Sequence, residues 1–261
     1  MDFEELNFST INTGNIVFSV RYFDSVDSTN LRAFALANNG APEGLVVIAD
    51  QQSSGRGRLG RKWHSPAKQN IYASIVLRPS IAPQYASQIP IIVGVAIQKT
   101  LGEYIPQITL KWPNDILVGN KKICGILTEM KSSPQHVDFI IVGIGININQ
   151  CADDFDNAIQ KTATSLFLET NIKYHRTEIL KKMLFHLGEI YYSYCQDGFD
   201  GIKKEWLSCA NIIGKKIAVA FKERVLAGVV TDIDDYGALV CRQDDGNIIN
   251  INAGDATIIK E

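Results

Sequence analysis

Between positions 55 and 63 the chain reads Gly55-Arg56-Gly57-Arg58-Leu59-Gly60-Arg61-Lys62-Trp63. Three guanidinium groups and an ammonium within seven residues can gather an anion, because guanidinium forks match the paired oxygens of phosphate and carboxylate. The interleaved glycines let backbone approach that anion and keep the segment flexible, while Trp63 offers an apolar wall beside the charges. The segment also contains G-x-G-x-x-G, the pattern of dinucleotide-binding loops. Such a loop must lead into a helix whose N-terminus holds the pyrophosphate. Arg61-Lys62-Trp63-His64-Ser65-Pro66 is no such helix start, which argues against a Rossmann unit.

Three further clusters have the residue types for a site around that loop. In Lys111-Trp112-Pro113-Asn114-Asp115, proline holds Trp112 extended and favours a turn, which aims Lys111 and Asp115 into one place. Lys122 is followed by the apolar run Ile123-Cys124-Gly125-Ile126-Leu127, in which Gly125 leaves room for a ligand against a strand. In Gly143-Ile144-Gly145-Ile146-Asn147, strand alternation puts both glycines on one face. That face suits either a flat ligand or a closely packed helix. Ser28-Thr29-Asn30 reads as a helix start whose side chains cap free N–H groups, with Asn30 as ordinary helix surface.

The elements that must position these clusters follow from pattern. A helix runs from Ser28 to a stop at Gly40. Leu45–Ala49 and Ile71–Leu77 are strands, with the arginine-glycine loop between them. Ala86–Tyr104 is a buried helix despite Gly94, and Thr109–Trp112, Ile116–Val118 and Ile123–Lys131 are successive strands. Gly119-Asn120 supplies a hairpin turn. Val137–Asn147 is a long strand, and residues 176–209 are mostly helical, with Trp206 as packing. From Ile212 the character changes to short β-like runs separated by Asp235-Tyr236-Gly237 and Asp244-Asp245-Gly246. The expected fold is therefore α+β, a mixed, largely antiparallel sheet with helices over residues 1–210, followed by a small β-barrel over 211–261. The region from Asn149 to Ser165 carries no clear motif.

Bulk composition bounds the function. With 46% hydrophobic and 21% charged residues over 261 positions, the chain can bury a sizeable core. A formal net charge of −2 argues against broad nucleic-acid binding. The N-terminal residues lack the basic start and apolar core of a signal peptide, and the longest apolar run, Ile89–Ile97, is too short to span a bilayer. Five scattered cysteines without a C-x-x-C pair read as reduced thiols of a cytoplasmic protein.

Taken together, the clusters closely resemble the biotin protein ligases. The loop fits their G-R-G-R-x-G-R-x-W at every fixed position, and K-W-P-N-D, K-x-x-G-I-L and G-I-G-I-N follow as Lys111–Asp115, Lys122–Leu127 and Gly143–Asn147. Ser28-Thr29-Asn30 matches their S-T-N helix start, and Gln52 matches their glutamine before the loop. The resemblance covers about residues 21–147, and the tail resembles their SH3-like C-terminal domain.

It implies the related class II synthetase-like catalytic fold and an enzyme that uses MgATP to convert biotin to biotinyl-5'-AMP. The biotinyl group then passes to a lysine of a biotin carboxyl carrier domain. It assigns Ser28, Thr29, Gln52, Gly55, Arg56, Arg58, Lys122, Gly125 and Gly143 to biotin. Arg58, Arg61, Trp63, Asn114, Lys122 and Asn147 go to the adenylate, and Lys122, Arg58, Lys111 and Asp115 to catalysis. No metal-ligand set is assigned beyond the Mg²⁺ that accompanies ATP. About twenty residues precede Arg21, too few for the winged helix that some members carry, so the form without DNA binding is expected. Homodimer formation is left open. Lipoate ligases share the fold and chemistry, but their Arg-Arg and Gly-Gly-Gly loop is absent here.

Overall fold

The computed structural model describes residues 3–221 and 224–259; the outermost residues of both expected domains, and positions 222–223 of the tail, lie outside the described residues. The chain opens with β1 (Thr10–Asn12), β2 (Val17–Val26), α1 (Thr29–Asn38), β3 (Leu45–Gln52) and β4 (Ile71–Leu77). Next come α2 (Ile89–Gly102), β5 (Ile108–Lys111), β6 (Asp115–Val118), β7 (Lys121–Ser132) and β8 (Val137–Ile146). Helices α3 (Leu166–Thr170), α4 (Arg176–Asp197) and α5 (Asp200–Ala210) lead to β9 (Lys216–Phe221), β10 (Arg224–Ile233), β11 (Leu239–Arg242), β12 (Ile248–Ile251) and β13 (Asp255–Ile258).

Eight strands form one sheet in the order β1-β2-β3-β4-β8-β7-β6-β5. Only β2 and β3 run parallel, with α1 as their crossover. The sheet is covered on both faces, which is why β3 over Leu45–Ala49 and β4 apart from Ser74 read as near-continuous apolar runs. On one face Val46, Ile48, Ile75 and Val142 join the large core beneath α2, α4 and α5. On the other, Ala33 and Ala37 of α1 pack on Val47, Val76, Phe139 and Ile141. Along β8 that second face changes from Phe139 and Ile141 to Gly143 and Gly145 as it passes the N-terminus of α1. A hollow opens at that change.

Two expectations need correction. Ser28 occupies the N-cap of α1 but makes no side-chain capping bond. Asn30 is not helix surface: it is 4% exposed and hydrogen-bonded across the sheet, as described below. Gly94 of α2 faces Trp206 and Leu110, where a Cβ would make only ordinary contacts, so the packing there does not require glycine.

The tail forms an antiparallel sheet in the order β12-β11-β10-β9-β13. Its inward residues Ile217, Val219, Val230, Ile233 and Leu239 belong to the same apolar cluster as α2 and α5. Trp112 Nε1 donates to Gly237 O at 3.0 Å, Gln88 Nε2 donates to Asp235 O at 2.6 Å, and the rings of Tyr85 and Tyr236 stack with centroids 5.3 Å apart. Trp112, with 1% exposure, thus anchors the tail against the body.

Candidate active site

The hollow is a cavity of about 290 Å³ walled by the start of α1, the arginine-glycine loop, strands β6 to β8 and residues 155–163. Its two ends differ in chemistry. At the α1 end the walls are neutral hydrogen-bonding groups. Gln52 Oε1 accepts from both Thr29 N (2.9 Å) and Thr29 Oγ1 (3.1 Å). Gln52 Nε2 donates to Ser65 Oγ at 2.9 Å, and Ser65 Oγ donates to Trp63 O at 3.1 Å. Ser74 Oγ, fully buried on β4, lies 2.8 Å from Thr29 Oγ1 and 2.6 Å from Asn30 Oδ1. Thr29, Gln52 and Ser65 are thereby fixed in orientation, which suits recognition of a neutral polar ring.

The other end is cationic. Arg58, Arg61, Lys62 and Lys122 all line it, with Asn114 and Asp115. Lys122 Nζ sits 2.6 Å from Asp115 Oδ1 and 5.3 Å from the centroid of the Trp63 ring. Asn114 donates through Nδ2 to Ile126 O (2.6 Å) and accepts Arg58 Nη1 on Oδ1 (2.9 Å). Arg58 Nη2 also donates to Gly254 O of the tail at 3.3 Å. One loop arginine therefore touches both the K-W-P-N-D turn and the C-terminal module.

The loop itself is closed by antiparallel pairing of Arg56 with Lys62 around a turn in which Leu59 takes a left-handed conformation (φ 56°). Trp63 returns over the sheet. A Cβ on Gly145 would overlap its indole, one on Gly125 would come within 2.9 Å of it, and one on Gly143 would overlap the Asn30 amide. The glycine floor therefore seats an indole and an asparagine of the chain itself, rather than lying bare for a ligand. Trp63 Nε1 is buried and has no hydrogen-bond partner among the described residues.

Residues 149–165, which lack a motif, supply the far wall through Phe155, Ile159, Thr162 and Ala163. They are held by backbone pairing: Lys122 N donates to Thr162 O (2.7 Å), and Thr164 N donates to Lys122 O (2.9 Å). Asn147 Nδ2 donates to Thr164 O at 2.9 Å, and His64 Nδ1 lies 3.4 Å from Asp156 Oδ2. Cys124, beside Lys122 in sequence, is fully buried in the opposite core. Burial pushes its thiol well up, so it stays protonated and unreactive. All five cysteines are free thiols.

Residues 22–147 match the Biotin/lipoate A/B protein ligase family and residues 212–257 match the Biotin protein ligase C terminal domain. A biotin–[acetyl-CoA-carboxylase] ligase of Paracoccus denitrificans is 33% identical over 83% of this chain and 91% of its own length. The chain belongs to the biotin protein ligase family. The bifunctional ligase/repressor BirA of Bacillus spizizenii is 39% identical, over 86% of this chain and 70% of its own. Among solved structures, the biotin protein ligase of Aquifex aeolicus in complex with biotin and ATP aligns with a TM-score of 0.78 at 29% identity, covering 93% of this chain and 99% of that one. The α+β fold with a small C-terminal β domain is that of the biotin protein ligases.

Within this ligase, the cavity gathers Ser28, Thr29, Gln52, Arg56, Arg58, Arg61, Trp63, Asn114, Asp115, Lys122, Gly125, Gly143 and Asn147. Two expected residues are not on its wall. Gly55 is buried under the loop, where a Cβ would overlap Trp63 O and come within 2.6 Å of Ser65 Oγ, so its small size serves loop closure. Lys111 pairs in register with Asp115 from the edge strand β5, one strand outside the cavity. Sequence reasoning missed Ser74, a lone serine in an apolar strand, and the 155–163 wall. For Ser74 a usable signal was a polar residue at the centre of a run otherwise buried on both faces.

Proposed function

We propose that this protein activates biotin with MgATP to biotinyl-5'-AMP and transfers the biotinyl group to one lysine of a biotin carboxyl carrier domain. The observation that carries this reading is one cavity with a fixed neutral recognition end and a cationic end, roofed by a glycine-arginine loop. A ureido ring is neutral and offers both N–H donors and a carbonyl acceptor; Ser28, Thr29 and Gln52 can meet both kinds. The biotin carboxylate then reaches toward Lys122, Arg58 and Arg61, with Trp63, Phe155 and Ile159 left for the adenine. The relatives named above are biotin ligases, so the lipoate alternative is set aside.

The chemistry follows from leaving groups. A carboxylate cannot acylate an amine at neutral pH because oxide would have to depart. One carboxylate oxygen therefore attacks the α-phosphorus of ATP, the bond to the bridging oxygen breaks, and pyrophosphate leaves. Negative charge grows on the phosphoryl oxygens, where Lys122, Arg58 and Arg61 stabilise it. In the second step the acceptor amine attacks the biotinyl carbonyl and AMP departs. Asp115, already within reach of Lys122, is positioned to take the amine's proton. MgATP is the substrate here. Among the described residues no group of three or more His, Cys, Asp or Glu side chains gathers to hold a metal, and the Mg²⁺ is taken to arrive with the phosphates.

The two units are assigned as residues 1–210 for catalysis and 211–261 for the C-terminal domain. The location is proposed as cytoplasmic. Among the described residues no helix is long and apolar enough to cross a membrane. The 261-residue chain, at net charge −2, is expected to show no specific DNA binding, which a gel shift over a salt series checks. The activity test is incubation with biotin, MgATP and a carrier domain, read by intact mass. A gain of one biotinyl group that needs ATP supports the reading. No gain, or a gain with lipoate alone, overturns it.

A further inference from the structure

Glu129 lies on β7 beyond the cavity wall, in none of the blocks that mark the family. Yet its carboxylate joins two parts of the site that are far apart in sequence. Oε1 lies 3.0 Å from Arg56 Nη1, and Oε2 lies 3.2 Å from the same nitrogen. Oε2 also accepts Asn30 Nδ2 at 2.9 Å. Arg56 belongs to the loop and Asn30 to the first turn of α1. From Asn30 the contacts continue through Ser74 to Thr29, Gln52, Ser65 and the carbonyl of Trp63. The chain of contacts leaves the loop at Arg56 and re-enters it at Trp63.

The Asn30 amide has one workable orientation in this arrangement. Its Nδ2 faces two acceptors, Leu127 O at 3.3 Å and Glu129, while Oδ1 faces the Ser74 hydroxyl. Turning the amide over would set oxygen against a carbonyl and a carboxylate. Gly143 lies directly against it, so it cannot move aside into the sheet. Oε2 serves Asn30 and Arg56 together, and the carboxylate adds a second oxygen and a full negative charge toward Arg56.

We propose that Glu129 is a positioning residue that fixes the arginine-glycine loop over the cavity through Arg56 and ties that placement to the recognition end through Asn30. It touches no reacting atom; its effect is on how long the loop holds the activated intermediate. The inference rests on the proposed adenylation reaction.

The test compares wild type with Glu129→Gln, Arg56→Ala and the double variant. Glutamine keeps the volume but has a single oxygen. Whichever way its amide turns, an NH₂ group faces either Arg56 or Asn30. Preformed biotinyl-5'-AMP is loaded on each protein and its release is followed by chase with excess biotin. Formation of the adenylate by wild type tests the reaction itself, separately from the comparison. A charge-assisted hydrogen bond lost at a partly buried site predicts roughly tenfold faster release for each single variant. The double variant should be no faster than the worse single one, since both remove the same link. Thermal melting of Arg56→Ala, whose side chain is 42% exposed, checks that the fold is intact. Release from Glu129→Gln at the wild-type rate overturns the proposal. So do single-variant effects that multiply in the double variant, because Glu129 and Arg56 would then act independently.

Discussion

The two ends of the cavity are built on different principles. At the α1 end, Thr29, Gln52, Ser65 and Ser74 carry no charge and bond chiefly to one another, with further bonds to Trp63 O and Asn30. At the other end, Arg58, Arg61 and Lys122 carry charge; Arg58 leans on Asn114 and the tail, and Lys122 on Asp115. A buried neutral network is rigid and punishes a poor fit, because any polar atom left unpaired costs about 1–3 kcal/mol. A cationic cluster at a half-open rim does little for a neutral ring but much for charge that appears only in the transition state. On the proposed reading, recognition and chemistry fall at opposite ends of one ligand.

The largest effect that would break this division is at Lys122. Removing one cation where phosphoryl charge develops typically costs about 3 kcal/mol, or roughly a hundredfold in rate. Lys122→Ala should therefore lose biotin-dependent pyrophosphate exchange on that scale. Next, Gln52→Ala strips an acceptor shared by two Thr29 donors and should weaken biotin binding by about ten- to a hundredfold. Its exchange rate at saturating biotin should change little, and titration calorimetry with the saturated exchange assay checks both halves. Arg58→Gly removes a contact to Asn114 and to the tail while adding backbone freedom, so biotinyl-5'-AMP should be released about tenfold faster. The smallest effect belongs to Lys111, one strand outside the cavity. Lys111→Ala should leave exchange within about twofold, in line with ordinary surface substitutions.

The comparison also marks what sequence can carry. Contiguous blocks were legible because a tight loop or a strand needs particular residues at adjacent positions. Gly55–Trp63, Lys111–Asp115, Lys122–Leu127 and Gly143–Asn147 are of that kind, and so are the turn-separated strands of the tail. What stayed hidden depends on partners distant in the chain. Ser74 is one serine in an apolar strand until β8 and α1 bring Gly143 and Asn30 over it. Asn30 looks like helix surface until the sheet passes beneath it. Phe155 and Ile159 form a wall because backbone pairing at Lys122 and Thr162–Thr164 holds their segment, and such pairing leaves no side-chain pattern. Conversely, the glycines at 125 and 145 were legible as empty space but not as the seat of Trp63.

The division of labour is tested most directly by measuring biotin affinity and saturated biotin-dependent pyrophosphate exchange on the same preparations of wild type, Lys122→Ala and Gln52→Ala. The expected pattern is crossed: Lys122→Ala loses exchange about a hundredfold with a much smaller loss of biotin affinity, while Gln52→Ala loses affinity and keeps saturated exchange. If both variants lose affinity and exchange in the same proportion, the two ends of the cavity do not have separate roles and this account is wrong.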